Sequence, residues 1–118
     1  MKPNVILEKS FAFSVRIVKL ITHLDNRNAS KTLTRQLLRS GTSIGANTEE
    51  AVGASTTRDF KYKIDISYRE ARETIYWLKL LKETQQLESG LAQSFISDCQ
   101  ELIKILGAIQ KTLKSRSA

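Results

Sequence analysis

Few residues of this 118-residue chain have the types and spacing that catalysis requires. The single histidine, His23, has Leu20 rather than a glutamate three positions before it, so the Glu-x-x-His element of a bundle metal site is missing. The single cysteine, Cys99, has no histidine near it in sequence and falls in an amphipathic pattern, which is typical of a buried, inert thiol. Glu49 and Glu50 are adjacent, and adjacent helical residues point about 100° apart, so they do not share one site. The sequence therefore predicts no catalytic residue, no metal site and no cofactor, and we expect a protein that is not an enzyme.

The charge of the chain is its unusual bulk property: 19 basic residues stand against 12 acidic ones, a net charge of +7. Residues 1–48 hold 8 basic and 2 acidic residues, residues 49–101 hold 7 and 10, and residues 102–118 hold 4 and none. A concentrated basic surface attracts polyanions, and the two basic segments would be pooled if the first and last helices lay side by side. The alternative is that these side chains only solvate a helical surface.

One basic stripe has helical spacing, because Lys31, Arg35 and Arg39 are each four residues apart. Such a stripe contacts phosphates without reading base sequence, although no glycine-rich phosphate loop is present. No aromatic residue interleaves the stripe, so it does not indicate a stacking platform for single strands. The predicted nucleic-acid-binding residues are Lys9, Arg16, Lys19, Lys31, Arg35, Arg39, Lys104, Lys111, Lys114 and Arg116.

Four helices are predicted to position these residues, over about residues 4–24, 30–54, 57–85 and 89–114 of a single domain, 1–118. Ser30 and Thr56 are the expected N-caps of the second and third helices. The connections are short, which favours an all-α, up-down-up-down antiparallel four-helix bundle. No apolar run approaches the roughly 18 to 20 residues that span a bilayer, and one cysteine is typical of a reducing compartment. We expect a cytoplasmic protein that does not bind membranes.

Apolar spacing assigns a core face to each of the first three helices. In the first helix the predicted face is Leu7, Phe11, Val15, Val18, Ile21 and Leu24. In the second it is Leu37, Gly41, Ile44, Thr48 and Ala51, and in the third it is Phe60, Ile64, Ser67, Ala71, Ile75 and Leu78. Glycine in a helix interior costs about 1 kcal/mol relative to alanine, so Gly41 and Gly45 indicate the close approach of another helix backbone.

A second face of the second helix carries small and amide side chains, which suggests a further helix contact. The predicted polar seam, either within the core or between subunits, consists of Ser43, Asn47, Glu50, Ser67, Glu70 and Trp77. Its carboxylates would need an arginine nearby, because buried carboxylates survive only when paired or hydrogen-bonded. The alternative to the seam is that Asn47 and Glu50 are solvated. The apolar flank around Trp77 either marks a partner surface or simply sits deeper in the bundle.

Several motifs in order resemble a bacterial family first named for proteins encoded by intervening sequences of 23S ribosomal RNA genes. The strongest is SIGAN at residues 43–47 followed by Glu50-Ala51, and EARET with YWL follows at 70–74 and 76–78. Residues 7–24 resemble the family's opening helix, and Asp59-Phe60 resembles a further shared phrase. Thr48 and Glu49 stand where residues that are more apolar or alanine-like are common in the family.

The resemblance implies a four-helix bundle that assembles as a homopentamer, with the second face of helix two and the Trp77 flank as subunit contacts. The family also includes the accessory variability determinant of diversity-generating retroelements, which implies nucleic acid and a reverse transcriptase as possible partners. Our functional hypothesis is an oligomeric, non-enzymatic protein that binds nucleic acid or serves as a scaffold. The alternative is a protein–protein adaptor, for example for a reverse transcriptase, whose charge serves only solubility.

Overall fold

The computed structural model describes residues 3–117 as four α-helices. These are α1 (Pro3–Asn26), α2 (Lys31–Val52), α3 (Thr57–Glu83) and α4 (Ser89–Ser117). Residues 3–117 contain no β-strand, and none of their helices combines the length and the apolarity needed to cross a bilayer. Residues 1, 2 and 118 of the predicted domain lie outside the described residues. The all-α prediction is confirmed.

Short polar side chains and two unusual backbone angles set the ends of the helices. Ser30 caps α2 by accepting a hydrogen bond from the backbone N–H of Leu33, and Thr56 caps α3 in the same way. Asn28 and Gln85 adopt φ angles of 60° and 61° just beyond the ends of α1 and α3. A left-handed residue at this position ends a helix, because it redirects the chain away from the helix axis.

Successive helices pack against one another in antiparallel pairs. On α2 and α3, Ser40 contacts Thr74 whereas Thr48, two turns later, contacts the earlier residue Ser67. Helices α1 and α4 also touch, which closes the four helices into one bundle, 48 Å long and 20 Å across in both other directions. The predicted four-helix bundle is confirmed.

The core faces predicted for α2 and α3 are largely confirmed. All five predicted residues of α2 are buried. On α3, Ile64, Ser67, Ala71 and Leu78 are buried, while Phe60 and Ile75 are half-buried at its edge. These faces were predictable because the remaining faces of both helices are dominated by polar side chains.

The core face predicted for α1 is wrong at three positions. The buried residues of α1 are Ile6, Ser10, Phe13, Ile17, Leu20 and Leu24, whereas Phe11 is 70% exposed and Val15 and Val18 are exposed as well. Because α1 is apolar on most of its circumference, two stripes fit the same helical spacing. The exposed stripe of Phe11, Val15 and Val18 is named the α1 outer face here.

The two helical glycines of α2 meet α1 in different ways. A Cβ atom at Gly45 would lie 3.2 Å from the backbone carbonyl oxygen of Ser10, so the prediction of close backbone approach is confirmed there. At Gly41 the added atom would instead lie 2.9 Å from Cγ1 of Ile17, a fully buried side chain. Gly41 therefore makes room for a core side chain rather than for a backbone.

Candidate functional site

Three of the ten predicted nucleic-acid-binding residues form ion pairs within the bundle. Lys9 Nζ lies 3.2 Å from a carboxylate oxygen of Glu101. Arg16 donates to Asp98 Oδ2 at 2.6 Å, and its guanidinium carbon lies 4.0 Å from the centre of the Phe95 ring. Both pairs join α1 to α4. Their positive charges are balanced locally, so they add little to an external basic surface.

Arg39, the third of these residues, is held in a network between α2 and α3. Its guanidinium donates to Glu70 Oε2 at 2.7 Å and also to Glu73. The indole N–H of Trp77 donates to the same Glu73 oxygen at 2.9 Å. This indole N–H, together with Arg39, holds the pKa of Glu73 below its usual value although burial opposes the shift. Burial alone would lower the pKa of Arg39. The hydrogen bond to Glu73 and the charges of both carboxylates outweigh burial, so the pKa of Arg39 is raised.

The other seven predicted residues are exposed and have no ion-pair partner within residues 3–117. We call them the unpaired basic set: Lys19, Lys31, Arg35, Lys104, Lys111, Lys114 and Arg116. The structure does not gather them into one patch. Helices α2 and α4 lie diagonally in the described bundle, with no pair of Cα atoms within 8 Å, and α1 and α3 lie between them. The members on α2 and on α4 therefore form separate basic surfaces.

The residues of the predicted polar seam lie along the boundary between α2 and α3, with different roles. Glu50 pairs with Lys63 at 2.6 Å, and Glu70 pairs with Arg39. Asn47 donates to the backbone carbonyl oxygen of Ser43, and the Ser43 hydroxyl donates to that of Arg39, so both of these bonds lie within α2. Trp77 is half-buried and is bonded to a carboxylate of α3 itself.

The buried part of this seam consists of four hydroxyl side chains, of which the sequence-based seam included only Ser67. The hydroxyl oxygens of Thr48 and Ser67 lie 3.0 Å apart, each 2.8 Å from the carbonyl oxygen of Ile44. Two turns away, Thr74 donates to Ser40 at 3.0 Å. Hydroxyls at apolar heptad positions on both helices are the signal that could have identified these pairs.

The residues considered first for chemistry lie on three different helices, α1, α2 and α4. Cys99 is buried, its thiol donates to the carbonyl oxygen of Ala71 at 3.2 Å, and burial followed by the charge of Asp98 raises its pKa to about 12. His23 is exposed at the α1–α4 groove, and Glu49 is exposed on α2. Among residues 3–117, no group of histidine, cysteine, aspartate and glutamate side chains is arranged to hold a metal ion.

Two of the grooves on the surface of the bundle differ in their lining. The larger, about 590 Å³, lies between α1 and α2, where Leu7 and Phe11 face the small residues Gly45 and Ala46. The smaller, about 370 Å³, lies between α3 and α4 and is lined by Arg72, Ile75, Tyr76, Lys79, Gln100 and Ile103. The first groove is mostly apolar, whereas the second combines cationic, aromatic, amide and aliphatic side chains.

Comparisons with known proteins agree with the fold. A family model described as 23S rRNA-intervening sequence protein matches residues 2–108. A crystal structure of a protein of unknown function from the S23 ribosomal protein family of Bacteroides thetaiotaomicron VPI-5482 is 44% identical to this chain, with a TM-score of 0.90. The similarity covers 94% of this chain and 99% of that one. A search of curated proteins finds no match.

Proposed function

The chain belongs to the family of 23S rRNA-intervening sequence proteins, and from this premise we propose that it is a non-enzymatic, oligomeric protein that binds nucleic acid through phosphates. The family is named for intervening sequences of 23S rRNA genes, so structured RNA is the first ligand to test and DNA the second. The proposal requires no cofactor and no catalytic side chain.

The observation that carries this proposal is the unpaired basic set. Its seven side chains are exposed and have no carboxylate partner within residues 3–117, so their charge is available to an external anion. Lysine and arginine side chains that neutralise phosphates release bound counterions, which makes affinity fall steeply as salt rises. Binding of this kind does not depend on base sequence.

Oligomerisation is the second part of the proposal, and the resemblance implies a homopentamer. The α1 outer face supports an oligomer, because Phe11 is 70% exposed and also lines the mostly apolar α1–α2 groove. We propose that this face packs against a second copy of the chain, which would cover an apolar surface that a monomer leaves in water. Five copies would place a charge of five times +7, or +35, on one particle.

A charge-matched pair of variants tests the site. Lys31→Gln with Arg35→Gln removes two charges of the unpaired basic set, whereas Lys61→Gln with Lys63→Gln removes two charges that are paired with Asp65 and Glu50. Both variants lower the net charge from +7 to +5. Fluorescence anisotropy with a labelled structured RNA should show weaker binding, and a salt slope reduced by about 1 per lost contact, for the first variant only.

Equal losses in the two variants would mean that binding follows the net charge rather than this surface. No binding by the wild-type protein at low salt would refute the nucleic-acid proposal. The chain would then fit the alternative of an adaptor for a protein such as a reverse transcriptase, with its charge serving solubility.

A further inference from the structure

The groove between α3 and α4 is independent of the unpaired basic set and combines four kinds of side chain. Arg72, Tyr76 and Lys79 come from α3, and Gln100 comes from α4. The remaining two lining residues, Ile75 and Ile103, are half-buried and contact the core, so they supply an aliphatic wall. No carboxylate is among the six residues that line this groove of about 370 Å³.

The ring of Tyr76 is both exposed and oriented. Tyr76 is 59% exposed, and its ring packs edge-to-face against Trp77, with the ring centres 5.1 Å apart and the planes at 75°. Trp77 is fixed in turn, because its indole N–H donates to Glu73. One contact therefore holds the Tyr76 ring while most of its surface remains open to solvent.

The positive charges at the groove are also available to a ligand. Arg72 and Lys79 are exposed, lie on opposite sides of Tyr76 along α3, and have no ion-pair partner within residues 3–117. Next to Arg72 on the helix is Glu73, one of whose oxygens is committed to Arg39 and Trp77. One turn after Lys79 is Glu83, which forms no ion pair with it. The groove therefore keeps two cations beside an open aromatic ring.

We propose that this groove binds one nucleotide of a single-stranded nucleic acid, with the base stacked on Tyr76 and flanking phosphates held by Arg72 and Lys79. Gln100 is placed to hydrogen-bond a base edge, since its amide supplies both a donor and an acceptor. The inference rests on the proposed function and adds a preference for unpaired bases, which phosphate contacts alone do not give. The two cations favour an anionic ligand, and a nucleotide also offers a flat base to the Tyr76 ring and polar edges to Gln100.

Tyr62 provides a matched control for this site. It lies on the same helix, is also 59% exposed, and is not among the residues that line the groove. Tyr62→Ala and Tyr76→Ala therefore remove the same side chain at the same exposure, and neither removes a charge. Tyr76→Phe keeps the aromatic face and loses only the hydroxyl group.

The test is fluorescence anisotropy with labelled oligoadenylate of about 12 nucleotides, as RNA and as DNA, and with a duplex of equal length, at one salt concentration. We expect Tyr76→Ala to weaken single-strand binding by about 5- to 10-fold, the lower end of what stacking of one base contributes. Duplex binding should not change. Tyr62→Ala and Tyr76→Phe should bind like the wild type, and the RNA and DNA arms show which backbone is preferred.

Equal single-strand affinities for Tyr76→Ala and Tyr62→Ala, with duplex binding intact, would overturn the stacking site and leave the proposed function standing. If the wild type binds neither the single strands nor the duplex, the proposed function itself is refuted. Trp77, the single tryptophan, supplies a second readout because it contacts Tyr76. Oligoadenylate should quench its emission in the wild type, and an unchanged spectrum at saturation would also contradict the site.

Discussion

Replacement of Gly41 by alanine should reveal how tightly α2 packs on α1. The new Cβ atom would lie 2.9 Å from Ile17 Cγ1 and 3.1 Å from both Cδ1 and Cγ2, closer than packed carbon atoms allow. Ile17 is fully buried, so it has no free space to move into. Overpacking of this kind costs about 1 to 3 kcal/mol, whereas alanine in a helix interior gains about 1 kcal/mol over glycine. Gly41→Ala should therefore lower the free energy of unfolding by up to about 2 kcal/mol.

Gly107 of α4 supplies the control, because the nearest atom to its added Cβ would be Tyr68 Cε1 at 3.8 Å, an ordinary contact. Gly107→Ala should raise the free energy of unfolding by about 0.5 to 1 kcal/mol through helix propensity alone. In an Ile17→Ala background the three crowding atoms are absent, so Gly41→Ala should become stabilising by a similar amount.

Urea denaturation followed by circular dichroism measures all of these differences, at one protein concentration because oligomer stability depends on it. The reasoning is refuted if Gly41→Ala stabilises the wild-type protein as much as Gly107→Ala does. It is also refuted if the effect of Gly41→Ala is the same with and without the Ile17 side chain.

Two further predictions concern the subunit contact and the network at Glu73. Phe11→Glu should reduce the mass measured by light scattering toward the 13.3 kDa of one chain, because a charge on the α1 outer face cannot be buried without cost. Tyr62→Glu, at a comparably exposed position on α3, should leave the mass unchanged, and an unchanged mass for Phe11→Glu would exclude this face as the contact. The hydrogen bond from Trp77, and after it the guanidinium of Arg39, holds the pKa of Glu73 below its ordinary 4.5. The ionised Glu73 carboxylate therefore stabilises the fold above pH 4.5, and this stabilisation is lost as the pH falls through the lowered pKa. Glu73→Gln should therefore lower the melting temperature at neutral pH, and the difference from wild type should shrink in acid; a constant difference would contradict the shifted pKa.

The fold could be predicted from local signals that act over a few residues. Ser30 and Thr56 cap α2 and α3 as expected, since an N-cap needs only a side-chain oxygen before a helical pattern. The core face of α2 was predictable because the opposite side of the helix carries polar and charged residues such as Arg35, Arg39 and Glu49. On α1 the same rule failed, because Phe11 and Phe13 are equally apolar and only the packing of the other helices decides which one is buried.

The site was less predictable, because it depends on contacts between residues distant in sequence. Arg39 has the same spacing as Lys31 and Arg35, yet only Arg39 of these three pairs with carboxylates of the neighbouring helix α3, those of Glu70 and Glu73. Helical spacing places a charge on a face, but it does not show whether a neighbouring helix supplies a carboxylate. For the same reason, the α3–α4 groove could be recognised only once both helices were in place.

The salt dependence of wild-type binding tests the proposed function most directly. Light scattering first establishes the assembly state of nuclease-treated protein, and anisotropy then gives its affinity for structured RNA and for duplex DNA across a salt series. We predict tight binding at low salt and a linear fall of log affinity with log salt, with a slope of about −0.9 for each phosphate that duplex DNA contributes. No binding at low salt, or an affinity that does not change with salt, would contradict a phosphate-binding role for the basic surface.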